Sequence, residues 1–172
     1  GMSHPRMAWI YRTGTITVDG FLLEATMALT RKGKYWYGDE DGDIAAVIGN
    51  YSRAAGYPAT LFRAALCSCG SARFHLFDDE VEGAARRDCV ACGESHLMFD
   101  SAEYLADANL DEHVCMCDNA ALSIHCGVAL YEGTQDVRWL YIGCRCADCG
   151  MVGVYADWKC EAGNAEAFLD GV

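Results

Sequence analysis

The sequence predicts an α+β, β-rich protein: a small N-terminal meander with one packed helix, followed by two cysteine-bearing units of similar form. Three observations predict it. One stretch after residue 43 has helical apolar spacing; most other apolar stretches are short and alternate between turn residues; and the cysteines recur in two matching sets. The 172 residues are 52% apolar and 22% charged, with two prolines. That composition excludes disordered, collagenous and low-complexity chains. The length suits one ordinary domain or two very small ones.

The elements follow in order. Ala8 to about Tyr37 reads as extended. Thr15-Ile16-Thr17-Val18 alternates, Asp19-Gly20 is a hairpin signal, and Phe21 to Leu29 resumes the strand. Lys32-Gly33-Lys34 marks a second turn before Tyr35-Trp36-Tyr37, and Gly38 to Asp43 is an acidic turn. Ile44, Val47, Ile48, Tyr51 and Ala55 then fall at i, i+3, i+4, i+7 and i+11, one face of a helix. Asp41 or Asp43 is placed to cap it, and Gly56 and Pro58 to end it. Its other side carries Asn50, Ser52 and Arg53, which read as solvated.

Beyond residue 60, Leu61 to Leu66 and Ala72 to Phe77 read as strands, with an acidic turn at Asp78-Asp79-Glu80 and Glu82-Gly83. Those carboxylates lack the ligand order of a calcium loop, so a solvated hairpin tip is expected. Asp100 with Glu103 forms a capping box for a short helix to about Ala108. Ala121 to Leu130 and Val137 to Tyr141 read as paired strands joined at Glu132-Gly133-Thr134. Val152 to Tyr155 is a further strand, and Asn164 caps a last short helix. The expected organisation is 1–60, 61–110 and 111–172, packed as one compact body. The aromatics, Trp139, Tyr141, Tyr155 and Trp158 among them, read chiefly as core, with an aromatic cleft for a peptide or small ligand as the alternative.

The cysteines carry the chemistry. Cys67-Ser-Cys69-Gly70 is followed by Cys89-Val-Ala-Cys92-Gly93, and Cys115-Met-Cys117-Asp118 by Cys146-Ala-Asp-Cys149-Gly150. The gaps hold 19 and 28 residues. CSCGSARFHL and CMCDNAALSI share Cys-x-Cys-x-x-Ala and an apolar alternation; CVACGESHLMFD and CADCGMVGVYAD share Cys-x-x-Cys-Gly and end at Asp100 and Asp157. Features repeated at this density mark a duplicated unit.

Two thiolates two or three residues apart can face one ion from a tight turn, and a glycine after the second can adopt positive φ. Zn²⁺ takes four such soft ligands tetrahedrally, so two zinc ions per chain are expected, held by Cys67, Cys69, Cys89 and Cys92 and by Cys115, Cys117, Cys146 and Cys149. The alternative is two sets of metal-free dithiols or disulfides, but a redox Cys-x-x-Cys ordinarily opens a helix, and here a β-leaning stretch follows. The Cys-x-x-Cys-Gly halves resemble the knuckles of the zinc ribbon over about residues 67–158. The Cys-x-Cys halves depart from the commoner ribbon spacing. The resemblance implies a metal-held hairpin and leaves the biological role open.

Cys126, Cys144 and Cys160 remain. Cys144 is a substitute for Cys146 as ligand, though the repeat aligns Cys146 with Cys89. His113 is a further stand-in. Cys126 and Cys160 are candidate reactive thiols, against the plainer reading of small buried hydrophobes. HExxH, the H-x-E and P-C-x-x-C of zinc deaminases, G-x-S-x-G and the P-loop are all absent from the sequence. Four thiolates complete a zinc shell and leave no position for water, which points to structural rather than catalytic metal.

The formal net charge of −12 disfavours nucleic acid, and metallated thiolate sites make the chain more acidic still. The longest apolar run, Cys149 to Ala156, is eight residues against about 20 for a membrane span. Gly1 ahead of Met2 reads as an added residue, and no secretory apolar region follows it. The expectation is therefore a cytoplasmic protein-interaction module with two structural zinc sites. An enzyme using Cys126 or Cys160 is the rival.

Overall fold

The computed structural model describes residues 29–172. The sequence-predicted strand at Thr15–Val18, the Asp19-Gly20 turn and most of the Phe21–Leu29 strand lie outside them. The elements in order are β1 (Thr30–Lys32), β2 (Tyr35–Tyr37), α1 (Asp43–Ala55), β3 (Leu61–Ala64), β4 (Phe74–Asp79), β5 (Ala84–Cys89) and β6 (Ser95–Leu97). A single 3-10 turn, Ser101–Glu103, precedes β7 (Asp111–Glu112), β8 (Leu122–Leu130), β9 (Asp136–Cys146), β10 (Met151–Asn164) and α2 (Ala165–Leu169). The β-rich α+β class holds.

The ten strands of the described residues join one antiparallel sheet in the order β1-β2-β10-β9-β8-β4-β5-β6. β3 pairs with β8 and β7 with β4. The sheet's centre is β8–β9–β10, with Leu122 opposite Cys146, Leu130 opposite Val137 and Val152 opposite Arg145. Only Phe74 against Leu122 ties β4 to β8. The side chains of β4 and β5 nonetheless reach the same core as the centre, through Phe74, Leu76 and Ala85.

The central strands are buried on both faces. On one face α1 sets Ile44, Val47 and Ile48 against Ala129, Tyr141, Val152 and Val154. Gly127 on β8 and Gly143 on β9 permit this approach. A Cβ on Gly143 would lie 2.7 Å from Ile44 Cγ2, and one on Gly127 2.8 Å from Ile48 Cγ2. The other face packs Leu140, Ile142, Cys144 and Cys126 against β4, β5 and α2.

α1 matches its apolar period and ends at Gly56, whose φ of 87° only glycine adopts without strain. Its start differs from expectation. Neither aspartate caps it: Gly42 is the N-cap and makes no side-chain bond. Asp43 accepts from the Glu40 amide at 3.1 Å. Asp41 turns to the sheet, accepting from Ser123 Oγ (2.8 Å), Arg73 (2.9 Å) and Arg145 (3.3 Å). Ser52, expected in solvent, is wholly buried. The chain doubles back after Gly56, and the Ala59 amide donates to Ser52 Oγ at 2.9 Å.

Two further elements differ. The helix expected from Asp100 to Ala108 is only the 3-10 turn, and Asp100 makes no capping bond. Ser101 takes the local role instead, its hydroxyl accepting from the Ala85 amide at 2.9 Å and donating to Met98 O. The strand expected over Val152–Tyr155 continues to Asn164, through register shifts after Val154, Lys159 and Ala162. Asn164 does cap the final helix, accepting from the Ala167 amide at 3.2 Å. Among the described residues no helix is long and apolar enough to cross a membrane.

Candidate metal centres

Each knuckle is built from backbone before sulfur. In the first half, Cys67 N–H donates to Ser71 O and Gly70 N–H to Cys67 O, both at 2.9 Å. In the second, Cys115 N–H donates to Asn119 O at 2.9 Å and Asp118 N–H to Cys115 O at 2.8 Å. Gly70 at φ 89° corresponds to Asp118 at φ 69°; aspartate is among the few residues that tolerate this region. The Cys-x-x-Cys-Gly turns match as well. Gly93 N–H donates to Cys89 O and Gly150 N–H to Cys146 O, with φ of 76° and 78°. The duplication seen in sequence is a duplication of hydrogen bonds and dihedrals.

These turns bring the sulfurs together in two groups. Cys67, Cys69, Cys89 and Cys92 form one, and Cys115, Cys117, Cys146 and Cys149 the other, the Sγ atoms of each lying within 4.8 Å of one another. In the first, Cys67 faces Cys92 at 3.6 Å and Cys69 faces Cys89 at 3.7 Å. In the second, Cys115 faces Cys149 at 3.5 Å and Cys117 faces Cys146 at 3.6 Å. The pairing follows the repeat. A bonded pair would be at about 2.05 Å, so these are not disulfides. A Zn–S bond of about 2.3 Å gives a tetrahedron edge of about 3.8 Å, close to the four facing distances. Either group could hold a metal ion.

The electrostatics suit a cation at each centre. The amides of Cys92 and then Ala91 donate toward the Cys89 sulfur and hold its pKa down to about 6. For Cys146 burial acts upward, but the Cys149 amide, the Asn119 side chain and the Asp148 amide together bring it down to about 6. Against these, Cys67 is pushed up to about 12: the Cys69 amide lowers it, while burial and the neighbouring sulfurs more than reverse this. Cys115 is raised, first by burial and then by its three companions. Four crowded sulfurs cannot all ionise unaided, and a bound dication removes that conflict by deprotonating its thiols outright. The donor set therefore fits a soft, tetrahedral ion.

The remaining candidates fall elsewhere. The second group contains Cys146; Cys144 lies wholly buried in the core, where burial drives its thiol well up. Cys126 is wholly buried too and raised by burial. Cys160 is 7% exposed, and burial pushes it up to about 12. A reactive thiol needs the opposite shift and access. His113 turns from the sulfurs and pairs through Nε2 with the buried Asp78. The acidic hairpin tip is an ordinary turn: Asp79 accepts the amides of Asn109, Val81 and Glu82, which lower its pKa.

Sequence reasoning missed three neighbours of the sulfurs. Asn119 Nδ2 donates to Cys146 Sγ at 3.3 Å. Glu94 accepts from Ser68 Oγ at 2.7 Å and from Cys67 Sγ at 3.4 Å. Arg87 is 6% exposed and lies near Cys67 and Cys89, whose charges act on it. Asn119 was the one within reach, because the repeat sets it opposite Ser71. No protein-family model, no curated protein and no solved structure matches this chain.

Proposed function

We propose that each four-cysteine group holds one zinc ion as a structural cross-link, and that the protein is a cytoplasmic protein-interaction module. Bound zinc would draw the two turns of each unit onto one centre and supply folding free energy of about 10–16 kcal/mol per site. A complete thiolate shell offers no open position, which favours scaffold over catalyst. Free thiols at all eleven positions suit a reducing compartment.

The observation that carries the interaction reading is the position of the exposed apolar side chains. Leu66 and Val114 precede the first cysteine of each unit at equivalent places and are 63% and 47% exposed. Met116 lies between Cys115 and Cys117 at 63%, and Val90 follows Cys89 at 46%. The knuckles thus present apolar surface on backbone that metal would hold rigid, the arrangement of a preorganised contact surface. With a net charge of −12, the fitting partner is a protein with a basic face.

Elemental analysis of the purified chain tests the metal: two zinc ions per chain are expected, and fewer than one overturns the reading. Cross-linking mass spectrometry tests the surface. A partner whose cross-links disappear in the folded Leu66→Ser/Met116→Ser variant supports it; partners indifferent to that change overturn it.

A further inference from the structure

The β4–β5 turn folds back onto the last strand. Gly83 closes it at φ 74°, and a Cβ there would sit 3.3 Å from Cδ1 and Nε1 of Trp158. Beside this contact is a cleft of about 270 Å³ whose lining includes Glu82, Gly83, Asp100, Tyr104, Trp158 and Glu161. Glu80 also lines it, its Oε1 accepting the Asp157 amide at 3.0 Å. Among the described residues one cation borders it: Lys159, with Nζ 3.1 Å from Glu161. Trp158 is 7% exposed, yet its Nε1–H finds no hydrogen-bond partner among the described residues. The nitrogen is not sealed from solvent, so this donor stands open at the wall of the acidic cleft.

We propose that this cleft binds the cationic side chain of a lysine or arginine presented by a partner peptide. The proposal deepens the interaction reading and rests on it for the source of the cation. An aromatic floor under a carboxylate rim is the chemistry that holds alkylammonium and guanidinium groups, by cation–π attraction and charge pairing together. The volume is below the roughly 300 Å³ at which pockets begin to take drug-sized ligands, and suits one long side chain. A bare divalent ion fits poorly. Among the described residues only the cysteine groups bring three or more donor atoms within 4.8 Å, so the rim carboxylates do not converge. A free polyamine would leave the cleft's apolar rim unused, where Val81 is 89% and Tyr104 42% exposed. Residues flanking a peptide's cation would cover them. Asp100 is pushed up by burial and by the charge of Glu103, the direction expected of a carboxyl without a cation beside it.

The test is an NMR titration of the full chain, following the assigned indole Nε1–H of Trp158. The probes are the blocked peptides acetyl-Ala-Leu-Arg-Leu-Ala-amide, its Lys form and its Gln form, with spermine and Ca²⁺ as competitors. The Arg and Lys peptides should shift the Trp158 resonance and the Gln peptide should not. Glu82→Gln/Asp100→Asn should weaken the peptides about tenfold, while Glu132→Gln/Asp136→Asn, the same charge change at the β8–β9 turn, should leave them unchanged. If the first double variant does not fold, Glu82→Gln/Glu161→Gln takes its place. An unmoved Trp158, equal response to the Gln peptide, tighter binding of Ca²⁺ or spermine, or equal weakening by both double variants overturns the proposal. Zinc content measured on the same sample separates the two readings. Two zinc ions without a Trp158 shift reject the cleft alone, and a shift without zinc rejects the metal reading alone.

Discussion

The two cysteine groups share turns, facing pairs and positive-φ positions, but their surroundings differ. The first sits on the β4–β5 side of the sheet; that hairpin meets β8 through one residue pair, while β3, which leads into Cys67, pairs with β8 over four. It has charged company: Arg87, which lies over the Phe74 ring and donates to Val172 O at 3.0 Å, and Glu94 against Cys67. The second closes the turn between β9 and β10, the strands that pair over the greatest length. Its company is a neutral amide, Asn119, and the ring of Tyr155, whose hydroxyl is raised by burial and by the nearby sulfurs. Local sequence therefore sets the sulfur geometry, whereas topology sets how much of the fold depends on it. A knuckle between central strands holds the sheet's register; one on a hairpin outside those strands holds mainly that hairpin.

The largest expected effect tests this directly. Cys92→Ser and Cys149→Ser each remove one sulfur, and each should lower bound zinc by about one ion per chain, a loss drawn from the roughly 10–16 kcal/mol of a structural site. Cys149→Ser should unfold the chain cooperatively. Cys92→Ser should leave hydrogen-exchange protection in β8–β10 while exposing β4–β6. Cys160→Ser, outside both groups, should change far less than either. Equal loss of β8–β10 protection in the two knuckle variants would sink the asymmetry.

A smaller effect probes the centre without touching sulfur. Gly143→Ala places a methyl where Ile44 and Ile48 already stand, at 2.7 and 2.8 Å, and α1 must shift to admit it. We expect a loss of about 1–3 kcal/mol in denaturant unfolding, with zinc content unchanged. A neutral result would mean that α1 rests loosely on the strands that end at the second group.

Next in size is the link between the units. Asp41 joins Arg73, four residues after Cys69, to Arg145, just before Cys146. Burial acts to raise its pKa, but bonds from Ser123 and Arg73 and the two guanidinium charges bring it below 3.8. A carboxyl depressed on folding contributes stability above its unfolded pKa and loses it as pH falls through the folded value. Asp41→Asn should therefore cost about 1–2 kcal/mol at neutral pH. The difference from the parent chain should shrink as pH falls below 3.8 and vanish once the folded carboxyl is protonated. A difference that persists there would assign the cost to packing.

Much of this was legible in the sequence because it is local. The α1 stripe from Ile44 to Ala55, the Gly33 turn, the Asn164 cap and the recurring cysteines each depend on residues a few positions apart. The sheet order is not local. Nothing near Tyr35-Trp36-Tyr37 announces that β2 pairs with β10, or near Leu61 that β3 pairs with β8. Ser52 reads as surface until the returning chain brings Ala59 N–H to it. Asp41 reads as a cap until two arginines and a serine from other strands claim it. At the sulfurs the repeat was sufficient to group all eight cysteines. Arg87 and Glu94 stayed hidden because the second unit places no arginine or glutamate opposite them: Cys144 and Met151 stand in those places.

The smallest effect separates the two groups by a single hydrogen bond. Burial acts to raise Cys146, and Asn119 is one of the donors that bring it down to about 6. Asn119→Ala removes that donor, at a cost of about 1 kcal/mol, and its hydrogen bond to the Ala121 carbonyl goes with it. With one donor fewer, the Cys146 thiolate is more basic, and protons compete with metal for it at higher pH. Acidification should therefore release metal from the second group at a higher pH in the variant than in the parent chain, while the first group, with Ser71 at the equivalent place, releases at an unchanged pH. A chromogenic zinc indicator read along a pH ramp, with Cys92→Ser as the background that isolates the second group, resolves the two steps. If the release pH of the second group does not move, the Cys146 thiolate is held by the knuckle amides alone, and the two groups are electrostatically equivalent at that sulfur despite their different neighbours.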